Sequence, residues 1–191
     1  MEENKLSIPY EEKQKGTVCF RKGQIEEASK CFAKALLAFN FLLKDNLLDS
    51  QETVEKYVQE IQVPCLLNLS VCYVALGTNF QNAKIHCTDV LSIQPHNVKA
   101  LYKRAQAETE LGEYEQAESD LKKAIELDPG NSSVLKAQKS LKKAKAAHSQ
   151  KLKKMYQKAL TSEEPRPESF WSLFGKSFLR LCKKRNKPKT T

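Results

Sequence analysis

The sequence predicts an all-α protein, and three observations carry that prediction. Its 191 residues include only 6 Gly and 7 Pro, too few for the many tight turns of a loop-rich β fold. Small, aromatic and proline positions recur at a 34-residue interval, most plainly between Ala83 and Ala117 and between Pro95 and Pro129, and an interval of this size marks a repeated supersecondary unit. Toward the C-terminus, apolar residues keep three- and four-residue steps for about eight turns, the period of an amphipathic helix. Apolar residues at 40% and charged residues at 29% suit a chain with one good-sized domain or a smaller one with tails.

The elements follow in chain order. The opening MEENKLSIPYEEKQKG is charged and lacks an apolar leader core, so secretion is not expected, and residues 1–9 read as a tail. The first copy is KGTVCFRKGQIEEASKCFAKAL, with Gly16, Gly23, Ile25, Ala28, Phe32 and Ala35. Ala28 and Ala83 stand 55 residues apart, 21 more than one period. The excess, FNFLLKDNLLDSQETVEKYVQEIQV, reads as a long linker with extended helices over 40–62. One helix runs on, a short loop falls around Asp45 to Asp49, and the next helix starts early at Ser50 or Gln51, with Glu52 in its first turn. The second copy has Phe80, Ala83, Cys87, Val90 and Pro95, and its turn LGTNFQNA is one residue longer than that of the third. The third is LYKRAQAETELGEYEQAESDLKKAIELDP, with Gly112, Tyr114, Ala117, Leu121, Ala124 and Pro129.

After PGNSS, Ser132 or Ser133 is expected to cap a basic helix over 132–160. Val134, Ala137, Leu141, Ala144, His148, Leu152, Met155 and Ala159 form its apolar stripe. TSEEPRPES, over 161–169, reads as a linker. In the tail over 170–191, Phe170, Leu173, Phe174, Phe178 and Leu181 fall at helical spacing before KKRNKPK. Four readings of the tail stay open: packing or partner docking, an anionic membrane surface, a nuclear-import signal, and disorder.

The small and aromatic spacing of the three copies resembles the tetratricopeptide repeat, a helical hairpin of 34 residues. The resemblance implies three hairpins over 10–131, stacked as a right-handed superhelix with a concave groove and closed by the long C-terminal capping helix. Gly16 and Ala105 would let the first helix of a hairpin approach the second, and Ala28, Ala83 and Ala117 would do the same from the other side. Ile25, Phe80 and Tyr114 would fill the gaps between hairpins. NVKALYKRAQAETELGEYEQA and KLKKMYQKAL look like the tetratricopeptide half of large immunophilins of the FK506-binding type. With repeats starting near residue 10 no isomerase domain is expected, and the layout is similar to short proteins of the tetratricopeptide-repeat-domain-nine type.

That resemblance also implies a site. Co-chaperone repeats of this kind hold the acidic C-terminal peptide of heat-shock chaperones in a carboxylate clamp, where cations and amide donors converge on two carboxylates. Carried over by position, the clamp falls on Lys13 and Thr17 in the first repeat, Asn68 in the second, and Lys99 and Lys103 in the third. Residues four apart share a helix face. Thr17 stands where the family usually has Asn, with a shorter reach. Lys103, beside Arg104, stands where it has Arg, and offers a point charge without the guanidinium fork. Weaker or altered binding is the expectation. The plain alternative is that the lysines are a solvated helix face and Asn68 a cap-like or buried polar residue.

Other chemistry is poorly supported. Residues 1–135 carry 15 Lys+Arg against 20 Asp+Glu, and residues 136–191 carry 17 against 3, so the basicity belongs to the C-terminal extension and no nucleic-acid partner is expected. Six cysteines show no CxxC pair and read as small buried hydrophobes of a reducing cytosol. Cys65 and Cys72 share a helix face and are expected to pack, not react. His86, His96 and His148 stand apart from any nucleophile or ligand spacing and read as surface residues, so no metal, cofactor or catalytic constellation is expected. No apolar run approaches the roughly 18 residues of a membrane span. The leading expectation is a cytoplasmic co-chaperone-like adaptor for a heat-shock protein 90 or 70 C-terminal tail of the EEVD type. The second is an interaction scaffold for another ligand, placed at a membrane surface by its tail.

Overall fold

Phe32 and Gly16 set the spacing of the first hairpin. The structure, a computed structural model, describes residues 7–45, 47, 48 and 50–161; part of the 45–49 loop, the 162–169 stretch of the linker and the whole 170–191 tail lie outside the described residues. Helix α1 (Ser7–Arg21) packs on α2 (Ile25–Lys44). A Cβ at Gly16 would lie 2.8 Å from Phe32 Cε1, and Phe32 is fully buried. The turn between them uses Gly23 at φ +76°, a region open to glycine. Helix α1 begins at Ser7, inside the stretch expected as tail. Pro9 is tolerated there because first-turn N–H groups have no intrahelical partner.

Ser50 caps α3 (Gln51–Tyr57), its hydroxyl accepting from Thr53 N–H at 3.1 Å, with Glu52 in the first turn. The α-helix then gives way to a π-helical turn, Val58–Gln62, and resumes as α4 (Val63–Leu76). Pro64 explains the change of register. It has no N–H for the carbonyl four residues back, and its ring crowds that carbonyl. Contrary to the sequence-based expectation, Gln51–Leu76 is long and apolar enough by composition to cross a membrane. Its apolar residues Ile61, Val63, Cys65, Leu66, Leu69 and Cys72 are instead buried in the protein core beside α2.

The turn into α5 (Phe80–Ile93) holds Gly77 at φ +66° and Asn79 at φ +52°, both left-handed. Asn97 caps α6 (Val98–Leu111), accepting from Ala100 N–H at 3.0 Å, and α7 (Tyr114–Leu127) folds back on it. Helix α8 (Ser132–Thr161) is capped one residue earlier than expected. Asn131 Oδ1 accepts from Ser133 N–H at 3.0 Å and Val134 N–H at 3.3 Å, because an Asn side chain reaches these orphan donors from one position further back.

The hairpins α1–α2, α4–α5 and α6–α7 thus follow one another, and two apolar clusters hold them. One gathers Phe32, Phe39, Ile61, Leu66 and Val90. The other gathers Leu101, Leu121, Val134, Ala137 and Leu141. Ala28, Ala83, Ala105 and Ala117 are fully buried, while Ile25, Phe80 and Tyr114 are half-buried. The chain divides into two units, Met1–His148 and Ser149–Thr191. In the first, the α8 stripe is buried at Val134, Ala137 and Leu141 and half-buried at Ala144. In the second, the described residues continue the helix with Leu152 and Ala159 half-buried and Met155 exposed, so among the described residues the stripe expected over the whole helix is fully buried in its first turns and partly exposed beyond them.

Candidate functional site

Helix α1 touches the π-turn, and α4 touches α6, so the leading helices of the three hairpins neighbour one another in sequence order. The polar residues predicted for the groove sit on these helices. On α6, Lys99 and Lys103 stand one turn apart. Lys99 is exposed, and its Nζ donates to Asn68 Oδ1 on α4 at 3.5 Å. Lys103 is half-buried. Its Nζ donates to Gln106 Oε1 at 3.1 Å and lies 5.3 Å from the Tyr102 ring centroid. Burial, and then the charge of Lys99, holds the Lys103 ammonium below the usual lysine range. Among the described residues no carboxylate lies within ion-pair distance of either lysine. Two cations one turn apart, one of them against an amide of the neighbouring repeat, thus stand without a carboxylate partner among the described residues, an arrangement that favours an incoming carboxylate.

The two α1 residues make their bonds elsewhere. Lys13 Nζ donates to the carbonyl of Glu60 in the π-turn at 2.5 Å and lies 5.7 Å from the Tyr10 ring centroid. The Tyr10 hydroxyl donates to the Glu60 carboxylate, and burial together with that carboxylate pushes the phenol up. Thr17 Oγ1 donates to the Lys13 carbonyl at 2.9 Å, inside its own helix. Asn68 thus lies against Lys99, Lys103 stands one turn further along α6, and Lys13 and Thr17 make contacts within the fold.

Arg104 does not share the groove with Lys103. Its Nε donates to Asp120 Oδ2 at 2.6 Å, Nη2 to Asp120 Oδ1 at 2.8 Å, and Nη1 to Thr88 Oγ1 at 3.2 Å. Asp120 is 4% exposed, so this fork ties α6 to α7 in the interior. Sequence reasoning missed the π-turn residues Gln59 and Glu60. Gln59 Oε1 accepts from the Gln94 amide, and Gln94 Oε1 from Asn97 Nδ2 at 2.6 Å. The available signal was Pro64, four residues after Glu60.

The remaining reactive side chains are structural. Cys65, Cys72 and Cys87 are fully buried, and burial pushes their thiols up to about 12, 11 and 11, far from the thiolate a nucleophile needs. His86 differs from its expected surface role. It stacks on Tyr73 with centroids 5.9 Å apart, its Nδ1 is buried without a hydrogen-bond partner, and burial lowers its pKa. Apolar neighbours on α4 draw the ring inward. His96 is exposed, and exposed His148 lies 5.3 Å from Tyr114 between ring centroids. Among the described residues no three His, Cys, Asp or Glu side chains gather as metal ligands.

Comparison with known proteins agrees with the repeat fold. Residues 14–39 and 98–131 each match the tetratricopeptide repeat. FK506-binding protein 59 of Drosophila melanogaster is 31% identical over 164 residues, covering 84% of this chain and 34% of that protein. The chain spans about a third of the length of such relatives. The C-terminal TPR-containing domain of an FK506-binding protein from Plasmodium falciparum is similar at 31% identity with a TM-score of 0.67, covering 80% of this chain and 96% of the domain. The first TPR of Spaghetti (RPAP3), solved bound to the HSP90 peptide SRMEEVD, shares the fold at 23% identity and a TM-score of 0.54, over 74% of this chain and 94% of that one.

Proposed function

The chain belongs to the tetratricopeptide repeat family, and on that premise we propose that it is a co-chaperone-like adaptor whose groove binds the acidic C-terminal peptide of a heat-shock chaperone. One observation carries the reading. Lys99 and Lys103 stand one turn apart on α6 with no carboxylate partner among the described residues, and Asn68 faces Lys99 from the neighbouring repeat. A solvated lysine face would leave Lys103 exposed; here it is half-buried and its charge is disfavoured by burial and by Lys99. Binding a carboxylate relieves both penalties. Two further supports come from likeness: relatives of the FK506-binding type, and a repeat domain of this fold solved with an EEVD-ended peptide. The chemistry asked of the chain is binding, with no bond made or broken.

Calorimetric titration of the full chain with the peptide SRMEEVD tests this. Micromolar binding is expected, lost when every carboxyl of the peptide is replaced by an amide and lost in Lys99→Glu. Binding that survives both changes would place the peptide outside the groove and end the proposal.

A further inference from the structure

Pro64 sets one half of the groove apart from the other. In a regular α-helix the carbonyl of Glu60 would take its hydrogen bond from the N–H of residue 64, and proline has none. The helix widens into the Val58–Gln62 turn, and the Glu60 carbonyl accepts instead from Lys13 Nζ at 2.5 Å, 47 positions away in sequence. Glu60 is half-buried, and a carbonyl partly shielded from water gains from a partner, so the ammonium serves the fold. The Tyr10 hydroxyl holds the Glu60 carboxylate, which fixes the turn to α1 at a second point. Thr17 spends its one hydroxyl proton on the Lys13 carbonyl, and its remaining lone pairs offer nothing to an anion. Thr17 therefore has no proton left to give, and Lys13 is turned toward the π-turn with one of its three ammonium protons committed there, whereas the one bond that Lys99 and Lys103 each make ends on a neutral side-chain amide oxygen. On the other side, Asn68 gives only its Oδ1 to Lys99, which leaves its amide N–H donors without a protein acceptor among the described residues.

Resting on the reading of the groove as an acidic-peptide site, we infer that it recognises a single carboxylate, gathered by Asn68, Lys99 and Lys103, and that Pro64 withholds Lys13 from a second by freeing the Glu60 carbonyl to accept it. Pro64 is then a specificity-determining residue that touches no ligand. It makes the groove tolerant of peptides that carry one correctly placed carboxylate where a complete clamp would demand two.

The test titrates the full chain with SRMEEVD, with its C-terminal amide, and with the peptide whose last Asp is replaced by Asn. One of the two neutralisations is expected to cost about tenfold or more and the other less than about twofold, since one charge-assisted contact is worth roughly that factor. Lys13→Ala should stay within about twofold of the parent, while Lys99→Ala loses about tenfold. Pro64→Ala should gain affinity through Lys13, a gain absent from the double variant with Lys13→Ala. If both neutralisations and both lysine substitutions cost alike, the single-carboxylate inference is overturned while the peptide reading stands. If no variant binds peptide, both are overturned. An independent arm needs no ligand: mass spectrometry of the free protein after brief lysine acylation. Faster modification of Lys13 in Pro64→Ala than in the parent supports the inference, and an unchanged rate overturns it.

Discussion

A methyl group added at Gly16 would meet the Phe32 ring at 2.8 and 2.9 Å, closer than carbon atoms approach in a packed interior. Gly16→Ala should therefore cost about 1–3 kcal/mol by overpacking, whereas Gly130→Ala, where an added Cβ meets nothing within 4 Å, should change stability by less than about 0.5 kcal/mol. Urea unfolding of both variants checks the pair. Glu108 makes a different demand. It is 3% exposed, and its Oε2 is buried without a partner. Burial, and then the Asp120 charge, raises its carboxyl to about 7, with Glu113 adding to the shift and Arg104 and Lys84 opposing it. The folded value lies above the unfolded one of about 4.3, so the protonated form is the one the fold favours. Its contribution is fully present below the unfolded value and is lost as pH rises through about 7. Glu108→Gln should accordingly stabilise the protein by about 1–3 kcal/mol near pH 8 and leave it nearly unchanged near pH 4; thermal melts at the two pH values read the difference, and equal shifts at both would sink the account. Gly16 was legible in the sequence because a small residue recurs at that phase. Glu108 was not, because the charges that act on it include Asp120, which sits on the neighbouring helix α7.

Helix α8 shows how an element can be periodic beyond the point where it is packed. Leu141 is 4% exposed within the second apolar cluster, while Met155 on the same stripe is 55% exposed. Leu141→Ala should cost about 2–5 kcal/mol, the usual toll for deleting a buried Leu side chain, and Met155→Ala less than about 0.5 kcal/mol. Chemical denaturation of the full chain gives both values. Periodicity reports only that one face is apolar and is silent on what lies against it. The same limit explains the caps. Ser50 was readable because Glu52 follows it in the first turn, whereas Asn131 reaches past Ser132 to Ser133 and Val134 N–H, a choice among three adjacent capping residues that propensity does not separate. The π-turn was hidden in the same way. Pro64 announces a break in the helix, but which side chain then serves the Glu60 carbonyl depends on Lys13, a residue from another repeat.

At the scale of the molecule, the 34-residue interval made the stacked hairpins legible, and it faded where the 21 extra residues lengthen α2 and bring α3 in early. The groove was half legible: four-residue spacing placed Lys99 and Lys103 on one face, while no local pattern foretold that Lys13 and Thr17 would be engaged within the fold. Charge distribution supplies the decisive control for this groove. Residues 136–191 carry 17 Lys+Arg against 3 Asp+Glu, and residues 1–135 carry 15 against 20. An acidic peptide drawn merely by net charge would settle on the basic stretch and leave it as salt rises, since exposed charges are screened over about 8–10 Å at physiological ionic strength. A peptide seated between Asn68, Lys99 and Lys103 is held by direct, partly desolvated contacts that screening weakens far less. Lys151 and Lys153 are exposed on α8, and reversing both to Glu changes the net charge by twice as much as Lys99→Glu. The groove reading predicts that Lys99→Glu lowers SRMEEVD affinity more than about tenfold at physiological salt, and that the double α8 reversal changes it by less than about twofold, its effect confined to low salt and to the association rate. If the α8 reversal costs as much as Lys99→Glu, the attraction belongs to the basic stretch as a whole, and the half-buried charge of Lys103 requires another explanation.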